Sequence, residues 1–397
     1  MGNLGVYIQV PFCQTKCTYC NFHTGVVSPG RFAPYASAVC REIGHYRSLL
    51  ESAGVTISSL DEAKTRPIDT VYVGGGTPSL LEPELLAAML RALRANFDCS
   101  FTEVTLEADP ETIDAEKAAQ WTAMGFNRIS FGTQSFVDEE LKAAGRMHRR
   151  EDIYRAVPIL RAAGIRNISF DLIAGLPKQT SASWRQSLGE AIALGPEHIS
   201  IYMMEIDEGS RLGLEVLQSG SRYSAKDLPA EESMAEFYEW AQAELKAGGY
   251  LQYEISNWAK PGFESRHNLK YWRREPYLGF GAGAHSFCGT QRWANRHDAA
   301  AYVNASSDGG SAIETVDAIT PALALEEEFF LGLRQLSGID LSRIERDYGV
   351  SLSGKVSELA ARGMVEKQGD ILRLPAAKLS VSNEVIVELL RSVQVAA

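Results

Sequence analysis

Three cysteines fall within eight residues, as Cys13, Cys17 and Cys20 in the spacing Cys-x3-Cys-x2-Cys. Clustered thiols in a large chain without an export signal are more often metal ligands or redox groups than disulfides. Three chemistries are open to them. Zinc needs four closed ligands, and His23 completes a Cys3His set. An iron–sulfur cluster is the rival, because soft thiolates hold its irons. The third possibility is unligated thiols. Three thiolates leave one iron of a cubane cluster without a protein ligand, and such an iron is useful only if a substrate or cofactor takes the open position. Cys40, Cys99 and Cys288 read instead as buried small hydrophobes. A second group is Gly74-Gly75-Gly76-Thr77-Pro78. Its glycines let the backbone approach a ligand closely, or simply make a tight turn.

The elements that position these groups follow from the hydrophobic pattern. Short β-branched runs predict strands over Val6–Val10, Thr70–Val73, Glu103–Glu107, Arg128–Phe131, Asn167–Asp171 and His198–Met203. Longer amphipathic segments predict helices over Arg31–Leu50, Pro83–Phe97, Asp114–Met124, Ile153–Ala163, Ser181–Leu194 and Ala230–Ala247. Strand–helix alternation implies parallel β/α units. Six units predict an α/β fold built as a partial, TIM-like (β/α)6 barrel. The unusual residues then gather at one end. Cys13–Cys20 follow the first strand, the triple glycine follows the second and Glu107-Ala108-Asp109-Pro110 closes the third. Gln134 follows the fourth, Asp171 ends the fifth, and Met203, Met204 and Glu205 end the sixth. In β/α barrels that end builds the active face. Any one of the polar residues, alone, reads equally well as an ordinary strand-end salt bridge.

The barrel and its extension are expected over residues 1–300, and a second unit over 310–397, with Gly309-Gly310 as linker. There, helices over Leu325–Leu336, Asp340–Gly349 and Ser351–Arg362 precede a hairpin of Gly363–Glu366 and Ile371–Leu374. That order is winged-helix-like. The module carries Glu326, Glu327, Glu328, Asp340 and Glu345, so packing or lidding is expected rather than DNA binding.

The 397 residues carry 39 Lys+Arg against 50 Asp+Glu, a formal charge of −11, which argues against a nucleic-acid partner. With 45% hydrophobic and 22% charged residues the chain is globular rather than disordered. No apolar run reaches about 18 residues, so no transmembrane helix is expected. The N-terminus lacks a cationic-then-apolar leader, and a cytoplasmic protein is expected.

Cys-x3-Cys-x2-Cys after a first strand, then GGGTP, resembles the radical S-adenosylmethionine (SAM) proteins. VYVGGGTPSLL, LEADPETID, NRISFGTQSF, GRMH, FDLIAGLPKQT and HNLKYW follow in order. Together they resemble the oxygen-independent coproporphyrinogen dehydrogenase group, and specifically its heme-chaperone branch, over nearly the whole chain. The resemblance implies a 4Fe–4S cluster on Cys13, Cys17 and Cys20, with SAM chelating the open iron. It places Tyr19 near the adenine, Tyr7 near the cluster end of the cofactor, and Gly75, Gly76 and Thr77 at the methionine amino group. Glu107, Gln134, Arg146 and Asp171 match positions that hold SAM. Arg146 suits a carboxylate, Asp171 or Gln134 the ribose hydroxyls, and Glu107 the cationic amino group.

The chain departs from the decarboxylating dehydrogenases at Phe22, where they carry a fourth cysteine, and in having only twelve residues before Cys13. Both departures argue against porphyrinogen decarboxylation. The basic segment Arg266–Arg274 contains HNLKYW, which resembles a heme-binding pattern of the heme-chaperone branch. Within it His267 could ligate heme iron, or be a structural histidine, while Tyr271 or Trp272 could pack on the ring. His285 and His23 are further candidates. Three functions follow from this. The first is a heme chaperone that transfers heme to apo-hemoproteins, with transient contact at membrane hemoproteins and a flavodoxin or ferredoxin as electron donor. The second is a radical enzyme on a tetrapyrrole, and the third is a zinc-stabilised barrel. Whether the chain is an enzyme stays open at this level.

Overall fold

The computed structural model describes residues 3–56, 66–307 and 310–391. Six strands lie side by side in chain order: β1 (Leu4–Val10), β2 (Ile68–Gly75), β3 (Cys99–Ala108), β4 (Arg128–Gln134), β5 (Asn167–Ala174) and β6 (His198–Met203). Every neighbouring pair is parallel. Between them run α1 (Phe32–Ser52), α2 (Pro83–Asn96), α3 (Ala115–Met124), α4 (Asp138–Ala143), α5 (Arg150–Ala162) and α6 (Ser181–Leu194). After β6 come α7 (Arg211–Leu217) and α8 (Glu231–Ala247). Two of the helices begin on side-chain caps. The Asp114 side chain accepts from Lys117 N at 2.8 Å, and Thr180 accepts from Ser183 N at 3.2 Å.

Side chains alternate along each strand. Val6, Ile8, Val71, Val73, Val104, Leu106, Ile129, Phe131, Ile168, Phe170, Ile199 and Ile201 face outward into one apolar cluster with the helices. Burying each such side chain contributes roughly 1.5–3 kcal/mol. The inner face is different in kind. It carries Tyr7, Gln9, Thr70, Tyr72, Thr105, Glu107, Ser130, Asp171, Ser200 and Tyr202. Parallel sheets covered on both faces are normally apolar on both. A polar inner face marks a chamber built for a polar ligand rather than a filled core.

The sheet extends beyond the six strands. Past β6 it adds β8 (Asn257–Ala259) and then β7 (Leu251–Glu254), both antiparallel to their neighbours. Past β1 it adds β9 (Tyr277–Phe280), parallel, then β10 (His285–Phe287), β11 (Gln291–Asn295) and β12 (Ile313–Ala318), antiparallel. The helix α9 (Arg266–Trp272) crosses the N-terminal end of the barrel, and α10 (Ala299–Ser307) packs beside α1. Asp171 does not end the fifth strand, because pairing continues to Ala174. Gln134 belongs to the fourth strand as its last residue, in the left-handed conformation at φ 58°.

The remaining chain forms a second apolar cluster around Leu325, Phe329, Ile344, Val356, Leu359, Leu372 and Val385. It is built from α11 (Pro321–Gly332), β13 (Ile339–Asp340), α12 (Leu341–Tyr348), α13 (Ser353–Ala361), the hairpin β14 (Glu366–Gln368) and β15 (Ile371–Arg373), and α14 (Ser382–Leu390). The three strands form one sheet in the order β13-β15-β14. The first helix starts four residues earlier than the apolar pattern implies. Thr320 caps it by accepting from Leu323 N at 3.2 Å, and Pro321 occupies its first turn. Gly309, read as part of a linker, lies outside the described residues, and β12 just after it pairs with the main sheet. No helix among the described residues is long and apolar enough to cross a membrane.

Candidate functional site

The loop after β1 is held from several sides. Thr18 N donates to Ala144 O at 3.0 Å, Thr77 N to Phe12 O at 2.7 Å and Gly76 N to Val10 O at 2.8 Å. Leu212 N, at the start of α7, donates to Thr18 O at 2.8 Å. Cys13, Cys17 and Cys20 are all partly exposed free thiols on this loop. Burial pushes the Cys13 thiol up to about 11. Of the other cysteines, Cys288 is buried as expected, while Cys40 and Cys99 are only partly covered. Among the described residues no three His, Cys, Asp or Glu side chains are already converged on one metal-ion position.

The glycine run lies against this loop. A Cβ on Gly76 would stand 2.4 Å from Phe12 O and 2.9 Å from Cys13 Sγ, so only glycine fits there. Gly75 has φ 118°, and a Cβ would meet the Gln9 side chain at 2.6 Å. Its amide donates to Glu107 Oε2 at 2.8 Å, while Tyr72 Oη donates to Glu107 Oε1 at 2.9 Å. Tyr7 Oη donates to Gln9 Oε1 at 2.8 Å, and the Tyr7 and Tyr72 rings stack at 5.9 Å. Burial, only partly offset by those two donors, raises Glu107 to about 7. Asp171 is also raised by burial, and accepts from Ser130 Oγ at 3.2 Å.

Arg146 is the hinge between the thiol loop and the strand ends. Its guanidinium pairs with Asp109, donates to Gly132 O at 2.9 Å and reaches Cys17 Sγ at 3.5 Å. Asp109 in turn accepts from Thr77 Oγ1 at 3.1 Å. Burial raises the Tyr19 phenol, and the adjacent Cys17 raises it further. The fold therefore brings together Cys13, Cys17, Cys20, Tyr19, Gly75, Gly76, Thr77, Glu107, Gln134 and Arg146, with Tyr7 and Asp171 deeper in the same chamber. Asp109, from the run that closes the third strand, lines it as well; Gln9, Tyr72, Ser130, Ser200 and Tyr202 line it too and were not singled out from the sequence. Stepping two residues along β1 from Tyr7 finds Gln9.

The HNLKYW segment lies elsewhere. Helix α9 plugs the opposite, N-terminal end of the barrel. A Cβ on Gly5 of β1 would meet Lys270 Cδ at 2.9 Å and His267 Cε1 at 3.5 Å. Both ring nitrogens of His267 are engaged, Nδ1 with Thr70 Oγ1 at 3.0 Å and Nε2 with Tyr271 Oη at 2.8 Å. Burial lowers its pKa to about 3. Of the two alternatives, this geometry supports the structural one, since a metal would have to displace a hydroxyl from a closed interior. Tyr271 packs edge-on against His267 and Tyr277, and the Arg334 guanidinium covers Trp272 at 4.4 Å. Two of the basic charges nearby are also occupied. Lys270 pairs with Asp69 at 2.9 Å, and Arg274 with Glu327 at 3.0 Å and Glu328 at 3.4 Å. The acidic run of α11 thus anchors the C-terminal unit on the barrel floor.

A parallel β/α half-barrel with a three-thiol loop after its first strand defines a radical SAM protein. Residues 7–191 match the Radical SAM superfamily, and residues 319–377 match the HemN C-terminal domain. The chain is 34% identical over 387 residues to the heme chaperone HemW of Bacillus subtilis (strain 168), covering 96% of this chain and 97% of that one. It is 32% identical over 393 residues to the heme chaperone HemW of Mycobacterium tuberculosis (strain ATCC 25618 / H37Rv), covering 97% and 94%. The fold matches the structure of coproporphyrinogen III oxidase (HemN) from Escherichia coli at a TM-score of 0.81 and 22% identity, over 98% of this chain and 90% of that one. The chain belongs to the HemW family.

Radical SAM membership implies a 4Fe–4S cluster and SAM. The residues present suit them. Three free thiols lie on one loop, and a glycine turn leaves no room for side chains beside it. Gln134 Oε1 and Arg146 Nε are buried at the chamber without a hydrogen-bond partner among the described residues. Buried polar atoms normally have partners, so orphans here are places where a polar ligand would bond.

Proposed function

We propose that this chain binds heme and delivers it to apo-hemoproteins, carrying a SAM-bound 4Fe–4S cluster on Cys13, Cys17 and Cys20. The reading is carried by near-full-length similarity, at 34% identity, to a protein named heme chaperone HemW. Phe22 supports it, standing 64% exposed where the dehydrogenases this chain resembles have a fourth cysteine.

When bound, the cluster would supply an open iron for SAM to chelate and one electron to it. The chain's own residues do the rest. Gly75 and Gly76 bring backbone against the ligand, with Thr77 beside them. Glu107, held by Tyr72 and Gly75, faces the cationic amino group. Arg146 has Asp109 to fix its plane and its Nε free toward a carboxylate. Gln134 and Asp171 serve the ribose hydroxyls, and Tyr19 flanks the base. Tyr7 closes the chamber below. The two apolar clusters support a division into a barrel unit and a C-terminal unit. A flavodoxin or ferredoxin would supply the electron. A reducing cytoplasm suits the free thiols.

The test uses anaerobically reconstituted protein with SAM and reductant, given heme or coproporphyrinogen III in parallel. Bound heme, protoporphyrinogen and 5′-deoxyadenosine are quantified in the same samples. Stoichiometric heme without protoporphyrinogen is expected. Protoporphyrinogen formed over many turnovers would overturn the reading.

A further inference from the structure

The chain has seven histidines, and the structure divides them sharply. Four are held by ring nitrogens. His45 bonds Arg41 O, His148 bonds Thr133 O, His198 bonds Ser169 and Tyr253, and His267 bonds Thr70 and Tyr271. Among the described residues no hydrogen bond engages the side chain of His23, His285 or His297. These three are exposed, and they are neighbours. The rings of His23 and His297 lie 4.2 Å apart. Gly283, in the turn that leads into His285, would place a Cβ 3.2 Å from His297 Nδ1. Burial lowers the pKa of His285, and the charges that His297, Arg292 and His23 can carry lower it further. Three imidazoles from three separate segments thus meet beside the thiol loop with their nitrogens unspent.

The turn carrying them is built to stay in place. Glu42 of α1 accepts from Gly281 N at 2.9 Å, Asn295 Nδ2 at 2.6 Å and Tyr302 Oη at 2.6 Å. Tyr35 Oη donates to Gln9 O and accepts from Ala282 N, both at 2.8 Å. The surroundings suit a flat apolar ligand with acidic arms. Phe22 and Val26, on the same loop as His23, are 64% and 60% exposed. Arg296, next to His297, has a side chain 45% exposed and reaches Glu314 only at 3.6 Å.

Resting on the reading of heme as cargo, we propose that heme iron is ligated at this His23–His285–His297 cluster and not at His267. The macrocycle lies across Phe22 and Val26, and Arg296 meets a propionate. A porphyrin supplies four nitrogens to its iron, so one or two imidazoles complete the coordination. Closure of three side chains around a bare ion is not required. Imidazole nitrogen is the ligating atom, and no hydrogen bond among the described residues occupies these rings.

The test is a heme titration of the full-length, anaerobically reconstituted protein, with the iron coordination read by Soret absorption and by electron paramagnetic resonance of the ferric form. The variants are His23→Ala/His285→Ala/His297→Ala and, separately, His267→Phe. The triple variant is expected to lose the nitrogen-ligated signature and at least tenfold in affinity. His267→Phe keeps the wild-type signature. Should the triple variant lose iron and sulfide through its change at His23, the pair His285→Ala/His297→Ala, outside the cysteine loop, is read instead, with the same expected loss of signature. A wild-type spectrum and affinity in the variant that keeps its cluster would overturn the assignment while leaving heme carriage intact. Wild-type protein that binds no heme would overturn the functional reading itself.

Discussion

Replacing His267 by alanine separates a structural imidazole from a ligand. Two hydroxyls, Thr70 Oγ1 and Tyr271 Oη, bond its ring in the interior. Each loses that partner in the variant, at roughly 1–3 kcal/mol apiece. The ring also packs among Tyr7, Tyr72 and Tyr271, and removing it leaves a void. Together these cost at least about 3 kcal/mol. The pH dependence adds a second reading. Folded His267 stays neutral down to about pH 3, whereas an unfolded histidine protonates near about 6.5. Below the unfolded value the unfolded chain binds the extra proton, so the stability His267 confers falls as pH drops, by about 1.4 kcal/mol per pH unit. The gap between wild type and His267→Ala therefore narrows by about 2 kcal/mol between pH 7.5 and pH 5. Urea unfolding followed by tryptophan fluorescence at three pH values measures both quantities. A variant within 1 kcal/mol of wild type, with a pH-independent gap and no heme coordination, would refute the structural account.

Cys17→Ser is expected to leave the strands folded, by circular dichroism, while iron and sulfide fall to background after reconstitution. Glu107 sits near pH 7 in the ligand-free chamber, so affinity for the cationic amino group of SAM should rise from pH 6 to pH 8. Glu107→Gln should flatten that rise in equilibrium dialysis. Glu42→Ala leaves three buried donors without their acceptor, a loss of about 3–9 kcal/mol. Hydrogen exchange should then accelerate first at the amides of Gly281 and Ala282.

Much of this was legible in the chain. Ser181–Leu194 and His198–Met203 coincide with the structure because Thr180 and Gly195 cap the helix and β-branched residues fill the strand. Other elements were not legible. The strands Leu251–Glu254, Asn257–Ala259 and Tyr277–Phe280 are three or four residues long, and pairing partners far along the chain create them. Helix Arg266–Trp272 has only two turns, and its basic composition suggested a binding surface. In the fold, Lys270 and Arg274 are spent on Asp69, Glu327 and Glu328.

What the sequence alone determined were the thiols, the glycine turn and the six β/α units, because spacing and periodicity are local properties that survive without coordinates. What the tertiary structure decided was which face each residue reaches. It sent His267 to the barrel floor, where two hydroxyls close its ring. It drew His23 and His297 to 4.2 Å across 274 residues of chain. Side chains of one residue type are chemically identical in a sequence, and only burial and partners make one imidazole a strut and leave another exposed with its ring nitrogens unengaged.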